Sequence, residues 1–116
     1  MSCRCHFLLA FVYPIRYSCS VIEIRQTEIY AKWFNSLRDR QAKARIDVRI
    51  RRLSLGNPGD VKPAGEGVSE LRIDYGPGYR IYFVQKGRTL IILLAGGDKS
   101  TQDRDIRMAL DLAREL

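Results

Sequence analysis

The spacing of the apolar residues changes along the chain, and this change limits the fold. From Thr27 to Leu53 the apolar residues recur three and four positions apart, as on one face of a helix. From Val68 onward they alternate with polar residues, which is the spacing of a strand. The helical spacing returns after Ser100. The sequence therefore predicts an α+β domain in which helices precede and follow a sheet.

A short strand and two helices are predicted before Val68. The strand covers Val21 to Arg25, and Thr27 and Asp39 are suited to cap the helices that follow. The first helix carries an aromatic face and the second an aliphatic one. Their inward residues are predicted to be Tyr30, Trp33, Phe34 and Leu37, and Ala42, Ile46, Ile50 and Leu53. Because few residues separate these helices, they are expected to form an antiparallel hairpin.

The sheet is predicted to contain three further strands. Asp60 to Gly67 is rich in glycine and proline and is expected to be a loop. Val68 to Tyr75 and Tyr79 to Gln85 then form a hairpin, and Thr89 to Ala95 is an apolar interior strand. The expected order is β-α-α-β-β-β-α. This order corresponds to a small, mainly antiparallel sheet with the helical hairpin packed on one face.

A last helix is predicted near the end of the chain. Gly96 and Gly97 are expected to end the preceding strand, and Ser100 with Asp103 resembles a capping box. Apolar residues then recur at helical spacing. They are Ile106, Ala109, Leu110 and Ala113.

The predicted strand hairpin separates apolar from charged side chains. If Tyr75 lies opposite Tyr79 across the turn, Asp74 lies opposite Arg80 and Arg72 opposite Tyr82. One face is then apolar and can cover the aromatic helix, while the other face collects the charged residues and Tyr82.

The first 20 residues differ from the rest in composition. They contain all three cysteines, the single histidine and the apolar run from Phe7 to Tyr13. We expect residues 1–20 to be an N-terminal extension and residues 21–116 to form the domain. Export is the weaker alternative, because Pro14 and Arg16 follow the apolar run and no clear cleavage site is present. The run is too short to span a membrane, so a cytoplasmic protein without membrane association is expected.

The charge and residue content restrict the chemistry. Twenty Lys and Arg against thirteen Asp and Glu give a net charge of +7, which favours polyanionic partners. Residues 21–116 contain no histidine or cysteine, which excludes Ser-His-Asp, Cys-His and zinc hydrolase sites there. We therefore expect neither a metal site nor a small-molecule cofactor.

Three cations are candidates for phosphate chemistry. Arg72 and Arg80 share the charged face of the hairpin, and Lys99 follows the next strand. Together they can clamp a phosphate and stabilise the charge that develops when RNA is cleaved. An Asp74–Arg80 ion pair is the structural alternative. Four further residues are predicted to contact RNA, Tyr82 by base stacking. They are Tyr82, Lys62, Lys86 and Arg88.

Two segments resemble a known toxin signature. One reads Glu-Leu-Arg-Ile-Asp-Tyr-Gly-Pro-Gly-Tyr-Arg-Ile-Tyr-Phe from Glu70, and the other reads Leu-Leu-Ala-Gly-Gly-Asp-Lys-Ser-Thr-Gln-Asp-Arg-Asp-Ile from Leu93. Both are similar to segments of the phage-derived, HigB-like branch of the RelE/ParE superfamily, the Gp49-like addiction-module killer proteins. The resemblance implies a toxin of a type II toxin–antitoxin system that cleaves messenger RNA at the ribosome through 2′-hydroxyl attack. It places Arg72, Arg80 and Lys99 at the family's basic positions.

The resemblance also implies partners and leaves alternatives open. The implied partners are the ribosome with its messenger RNA and a helix-turn-helix antitoxin, which would cover the basic face or displace a helix. Some relatives place a histidine or a carboxy-terminal tyrosine near the reacting phosphate, and this chain has neither after Tyr82, so the acid–base pair stays open. The alternatives are a ParE-like gyrase poison without nuclease activity and a degenerate toxin retained as a repressor component.

Overall fold

The computed structural model describes residues 21–116, which form a sheet between two layers of helices. The elements are β1 (Glu23–Gln26), α1 (Glu28–Ser36), α2 (Arg40–Ser54), β2 (Val61–Gly65), β3 (Val68–Arg72), β4 (Arg80–Lys86), β5 (Leu90–Gly97) and α3 (Gln102–Arg114). The strand order is β1-β5-β4-β3-β2, and only β1 and β5 are parallel neighbours. The predicted α+β class with a mainly antiparallel sheet is confirmed. The predictions for residues 1–20 lie outside the described residues.

The segment predicted to be a loop before Val68 contains an additional strand. β2 pairs with β3 at the edge of the sheet, where Lys62 lies opposite Glu70. Pro63 is compatible with this position because an edge strand has one side on which no backbone N–H is needed. The pairing shifts between Pro63 and Gly65. The loop prediction was therefore wrong, because glycine and proline oppose central strands more strongly than edge strands.

The helical hairpin packs on one face of the sheet, as predicted. Its buried residues in this core are Tyr30 of α1 and Ile46 and Leu53 of α2. They pack against alternating residues of the three central strands. These residues are Leu71, Ile81, Phe83, Ile91 and Leu93, together with Ile73 just beyond the end of β3. Both predicted caps are confirmed, because the side chains of Thr27 and Asp39 accept hydrogen bonds from the first turns of α1 and α2.

Helix α3 covers part of the opposite face, on which the charged residues were predicted to lie. It contacts β3, β4 and β5, and Ala109 is fully buried against them. The residues beneath α3 form a second apolar cluster. Its strand members include Val68, Tyr82, Val84, Leu94 and Ala95. The charged residues of this face therefore lie beside a helix rather than on an exposed sheet.

Two glycines at the end of β5 allow helices to approach from both sides. A Cβ atom at Gly96 would overlap the ring of Trp33, and a Cβ atom at Gly97 would overlap the carboxylate of Asp105. Both glycines belong to β5, which is longer than predicted.

The cap before α3 differs from the predicted pair of Ser100 and Asp103. Asp98 accepts a hydrogen bond from the Ser100 backbone N–H at 2.8 Å and opens a 3-10 turn, Lys99–Thr101, before α3.

Candidate active site

The pairing of β3 with β4 places Arg72 directly opposite Arg80. The same register sets Glu70 opposite Tyr82. The predicted pairs of Asp74 with Arg80 and of Arg72 with Tyr82 were wrong by two residues. A shift of two residues leaves every side chain on its predicted face but changes its neighbours.

The connection between β3 and β4 is longer than the predicted three-residue turn, and Tyr75 lies within it. Its hydroxyl donates to Asp39 Oδ2 at 2.9 Å, and the Arg45 guanidinium lies 4.6 Å from the centre of its ring. Tyr75 is therefore held against the start of α2 instead of pairing with Tyr79. The backbone N–H of Ile73 donates to the carbonyl of Tyr79 at 2.9 Å. Ile73 therefore takes the position opposite Tyr79 that was predicted for Tyr75.

Glu70 is the carboxylate that the two arginines share. Its Oε2 atom lies 3.2 Å from Arg80 Nε and 3.9 Å from Arg72 Nε. Gln102 of α3 donates from Nε2 to both carboxylate oxygens at 3.0 Å. Glu70 is only 4% exposed and Arg80 only 7% exposed. A buried carboxylate needs this combination of opposite charge and hydrogen bonds to offset its loss of hydration.

The positive charge of this cluster exceeds the negative charge. Asp105 is also buried, but its carboxylate accepts from the Thr101 hydroxyl at 2.5 Å and pairs with Arg104 at 3.6 Å. The side chains of Arg72 and Arg80 donate no hydrogen bond to any residue in the described range. Two guanidinium groups thus share one carboxylate, and their buried Nε atoms have no hydrogen-bond partner in the described range.

Lys99 lies at the same end of the sheet as the arginine pair. Its backbone N–H donates to the carbonyl of Pro77 at 3.4 Å, beside the connection that leads into β4. Gly97, two residues earlier, is the partner of Arg80 on β5. Lys99 is exposed, so its ammonium group is accessible to a ligand. The structure therefore brings the three candidate cations to one end of the sheet.

The four predicted RNA-contacting residues are divided between the two ends of the sheet, because only Lys62 and Tyr82 are cross-strand neighbours of Glu70. Lys86 ends β4 and Arg88 follows it, so both lie about 20 Å from Arg80 along the strand. Lys62 is exposed on the edge strand beside Glu70. Tyr82 is on the predicted face but fully buried beneath α3.

The burial of Tyr82 contradicts its predicted role in base stacking, because no ring surface is accessible in this structure. Its hydroxyl has no hydrogen-bond partner among the described residues. Burial raises the pKa of Tyr82, and the nearby carboxylates of Glu70 and Asp105 act in the same direction. The side chain is therefore a neutral phenol.

Sequence reasoning did not identify Glu70 and Gln102 as site residues. Glu70 shares the strand face of Arg72, and this alternation was the available signal. Gln102 had no comparable signal, because its contact depends on how α3 packs. Within residues 21–116 there is no group of three or more His, Cys, Asp or Glu side chains placed to hold a metal ion. No helix in that range is long and apolar enough to cross a membrane.

Comparison with known proteins identifies the family. The model of the family described as "Phage derived protein Gp49-like" matches residues 32–116, which is more than half of the chain. A protein of Haemophilus influenzae, described as an uncharacterized protein, is 50% identical over 95 residues. That alignment covers 82% of this chain and 96% of the relative. The chain therefore belongs to the phage-derived Gp49-like protein family.

Proposed function

We propose that this protein is the toxin of a type II toxin–antitoxin system and cleaves messenger RNA on the ribosome, in the cytoplasm. The main support is the arginine pair, Arg72 and Arg80, which shares the single carboxylate of Glu70 beside the exposed Lys99. Membership of the Gp49-like family, a family of addiction-module toxins, supports the same assignment. The resemblance of its two motifs to RelE/ParE and HigB-like toxins supports the finer activity.

The proposed reaction uses the 2′-hydroxyl of the RNA as the nucleophile. Its oxygen bonds to the adjacent phosphorus and loses its proton to a water molecule, while the bond from phosphorus to the 5′-oxygen breaks. The products are a 2′,3′-cyclic phosphate and a 5′-hydroxyl. Arg72 and Arg80 would bind the phosphate oxygens and stabilise their additional negative charge. Lys99 would donate the proton that the departing 5′-oxygen takes up.

Glu70 would act as a positioning residue in this scheme. Its carboxylate lies near the Nε atoms of the two arginines, so their terminal nitrogens can be directed away from it and toward a phosphate. It also reduces the repulsion between two guanidinium groups on adjacent strands. Gln102 holds the carboxylate from the side of α3.

The proposed partner is a helix-turn-helix antitoxin. It would neutralise the toxin by covering the arginine pair or by displacing a helix. Helix α3 is a suitable target for displacement, because Gln102 and Ala109 connect it to the charged and apolar parts of the same sheet face. Loss of α3 would release Glu70 from its two hydrogen bonds.

RNA end mapping in a translating extract tests the proposed function. The full-length wild-type chain should generate new 5′-hydroxyl ends within translated messages, and Arg80→Ala should generate none. Lys32→Ala is the matched control, because Lys32 is an exposed cation on α1 and should retain cleavage. A folded Arg80→Ala variant that still cleaves would refute the assignment. DNA damage with intact messages would instead select a gyrase poison.

A further inference from the structure

Helix α2 carries the excess positive charge of the described domain. Residues 21–116 contain eighteen Lys and Arg against thirteen Asp and Glu. Six of those cations and only one carboxylate, Asp47, lie on α2, so the rest of the domain has equal numbers of each sign. The six are Arg40, Lys43, Arg45, Arg49, Arg51 and Arg52. The basic character of the domain is therefore a property of one helix.

The α2 cations are not neutralised by carboxylates in the described part of the chain. None of them takes part in an ion pair there. Arg49 donates to the backbone carbonyls of Arg72 and Pro58 at 2.7 and 3.1 Å. Arg45 and Lys43 lie over aromatic rings. These contacts orient side chains, and although Asp39 and Asp47 interact with Arg45 and Lys43 at longer range, they form no ion pair with them.

The spacing of the charges on one flank of α2 opposes the stability of the helix. At the start of the helix, the Asp39 carboxylate at the N-cap offsets the charge of Arg40. Arg49 follows Arg45 by four positions and precedes Arg52 by three, so like charges are neighbours on one flank. Only Arg51 and Arg52, in the last turn, are placed favourably for the dipole. Helix stability therefore does not explain the pattern.

Three of the arginines line a groove. The groove, of about 480 Å³, lies between α2 and the start of the β3–β4 connection and is lined by Arg45, Arg49 and Arg52 together with Val48 and Asp74. From Arg45 to Arg52 the helix rises about 10 Å. Because α2 packs on the face opposite to the arginine pair of the candidate active site, this groove is a separate surface.

We propose that the exposed side of α2 binds the phosphate backbone of folded RNA, as a second surface that takes no part in cleavage. Several arginines along one helix suit repeated phosphates, which guanidinium groups bind through paired hydrogen bonds. The choice of RNA rests on the proposed function, whereas the α2 surface does not depend on cleavage. With cation sites on opposite sides of the sheet, the protein would lie between two RNA segments.

The salt dependence of RNA binding tests this proposal. Full-length Arg80→Ala protein serves as the background, and the probe is protein-free RNA of the small ribosomal subunit. Removing two phosphate contacts with Arg45→Gln/Arg52→Gln should reduce the slope of log affinity against log salt by roughly 1.5. The control Arg25→Gln/Lys32→Gln removes two exposed cations outside α2 and should leave the slope unchanged. The charge-retaining variant Arg45→Lys/Arg52→Lys should have the same slope as the Arg80→Ala background.

Equal slopes and affinities for the α2 and control variants, both folded by thermal melting, would overturn the proposal. Unchanged RNA binding with loss of binding to an acidic protein partner would overturn it as well, because the surface would then serve a protein. If the wild-type chain cleaves no RNA but the slope still falls in the α2 variant, only the nuclease proposal fails. The charge-retaining lysine variant separates loss of charge from loss of fold.

Discussion

Arg72 and Arg80 lie opposite each other on adjacent strands, and both approach the same buried carboxylate. Two like charges at this position are tolerated because Glu70 offsets one of them and Gln102 holds Glu70 in place. The remaining positive charge has no partner in the described part of the chain. The cluster is thus a largely buried group of three charged side chains with a net positive charge.

Replacing Glu70 should show how much its negative charge stabilises the two arginines. Glu70→Gln leaves Arg80 buried without its carboxylate, so we expect the free energy of unfolding to fall by about 3 kcal/mol. Inorganic phosphate should recover part of the loss by supplying the missing negative charge. Urea denaturation with and without phosphate measures both effects, and the exposed Glu23→Gln variant is the control. An unchanged unfolding midpoint would show that the ion pair contributes nothing.

The geometry of Arg80 should matter as much as its charge. Arg80→Lys keeps the positive charge near Glu70 but loses the planar paired donors that bind phosphate. We expect cleavage to fall roughly 100-fold, within the range for loss of a transition-state donor. The melting temperature should change much less than in Arg80→Ala. Full activity of the lysine variant would mean that a simple positive charge is sufficient.

Trp33 and Gly96 should be energetically coupled. Gly96→Ala places a methyl group where the Trp33 ring lies, and we expect a loss of about 1 to 3 kcal/mol. Trp33→Ala should cost about 3 kcal/mol, because the ring is only partly buried. In the double variant the alanine at position 96 no longer meets the ring. The double variant should therefore lose less unfolding free energy than the sum of the losses in the two single variants. Urea denaturation measures all three losses, and strict additivity would exclude the contact.

The Tyr75–Asp39 hydrogen bond should make stability depend on pH. The bond from the Tyr75 hydroxyl is the largest cause that holds the pKa of Asp39 below its ordinary value of 3.8. Because the folded-state pKa is depressed, the stabilisation is complete well above pH 3.8 and is lost as the pH falls through the lower folded-state pKa. Tyr75→Phe should be less stable than wild type at pH 6, and the difference should shrink near pH 3. A difference independent of pH would contradict this origin.

Features that depend on residues close together in the chain could be predicted from the sequence. Thr27 and Asp39 cap α1 and α2 because each contacts backbone groups only two or three residues away. The residues predicted to face inward on α1 and α2 follow from helical spacing alone. Strand alternation likewise placed Arg72 and Arg80 on one face, because the predicted register differs from the observed one by two residues.

Contacts between distant residues decided the remaining features. The register differs from the one that turn chemistry predicted, and Tyr75 contacts Asp39, 36 positions earlier, instead of pairing with Tyr79. Tyr82 is buried because α3 packs over it, and strand alternation cannot specify what covers a face. The sequence by itself thus determined the types of the elements other than β2, the caps of α1 and α2 and the sidedness of the charges, since these arise from local geometry. The tertiary structure alone decided the Glu70 partnership, the edge strand β2 and the separation of α2 from the arginine pair, since each depends on which distant segments pack together.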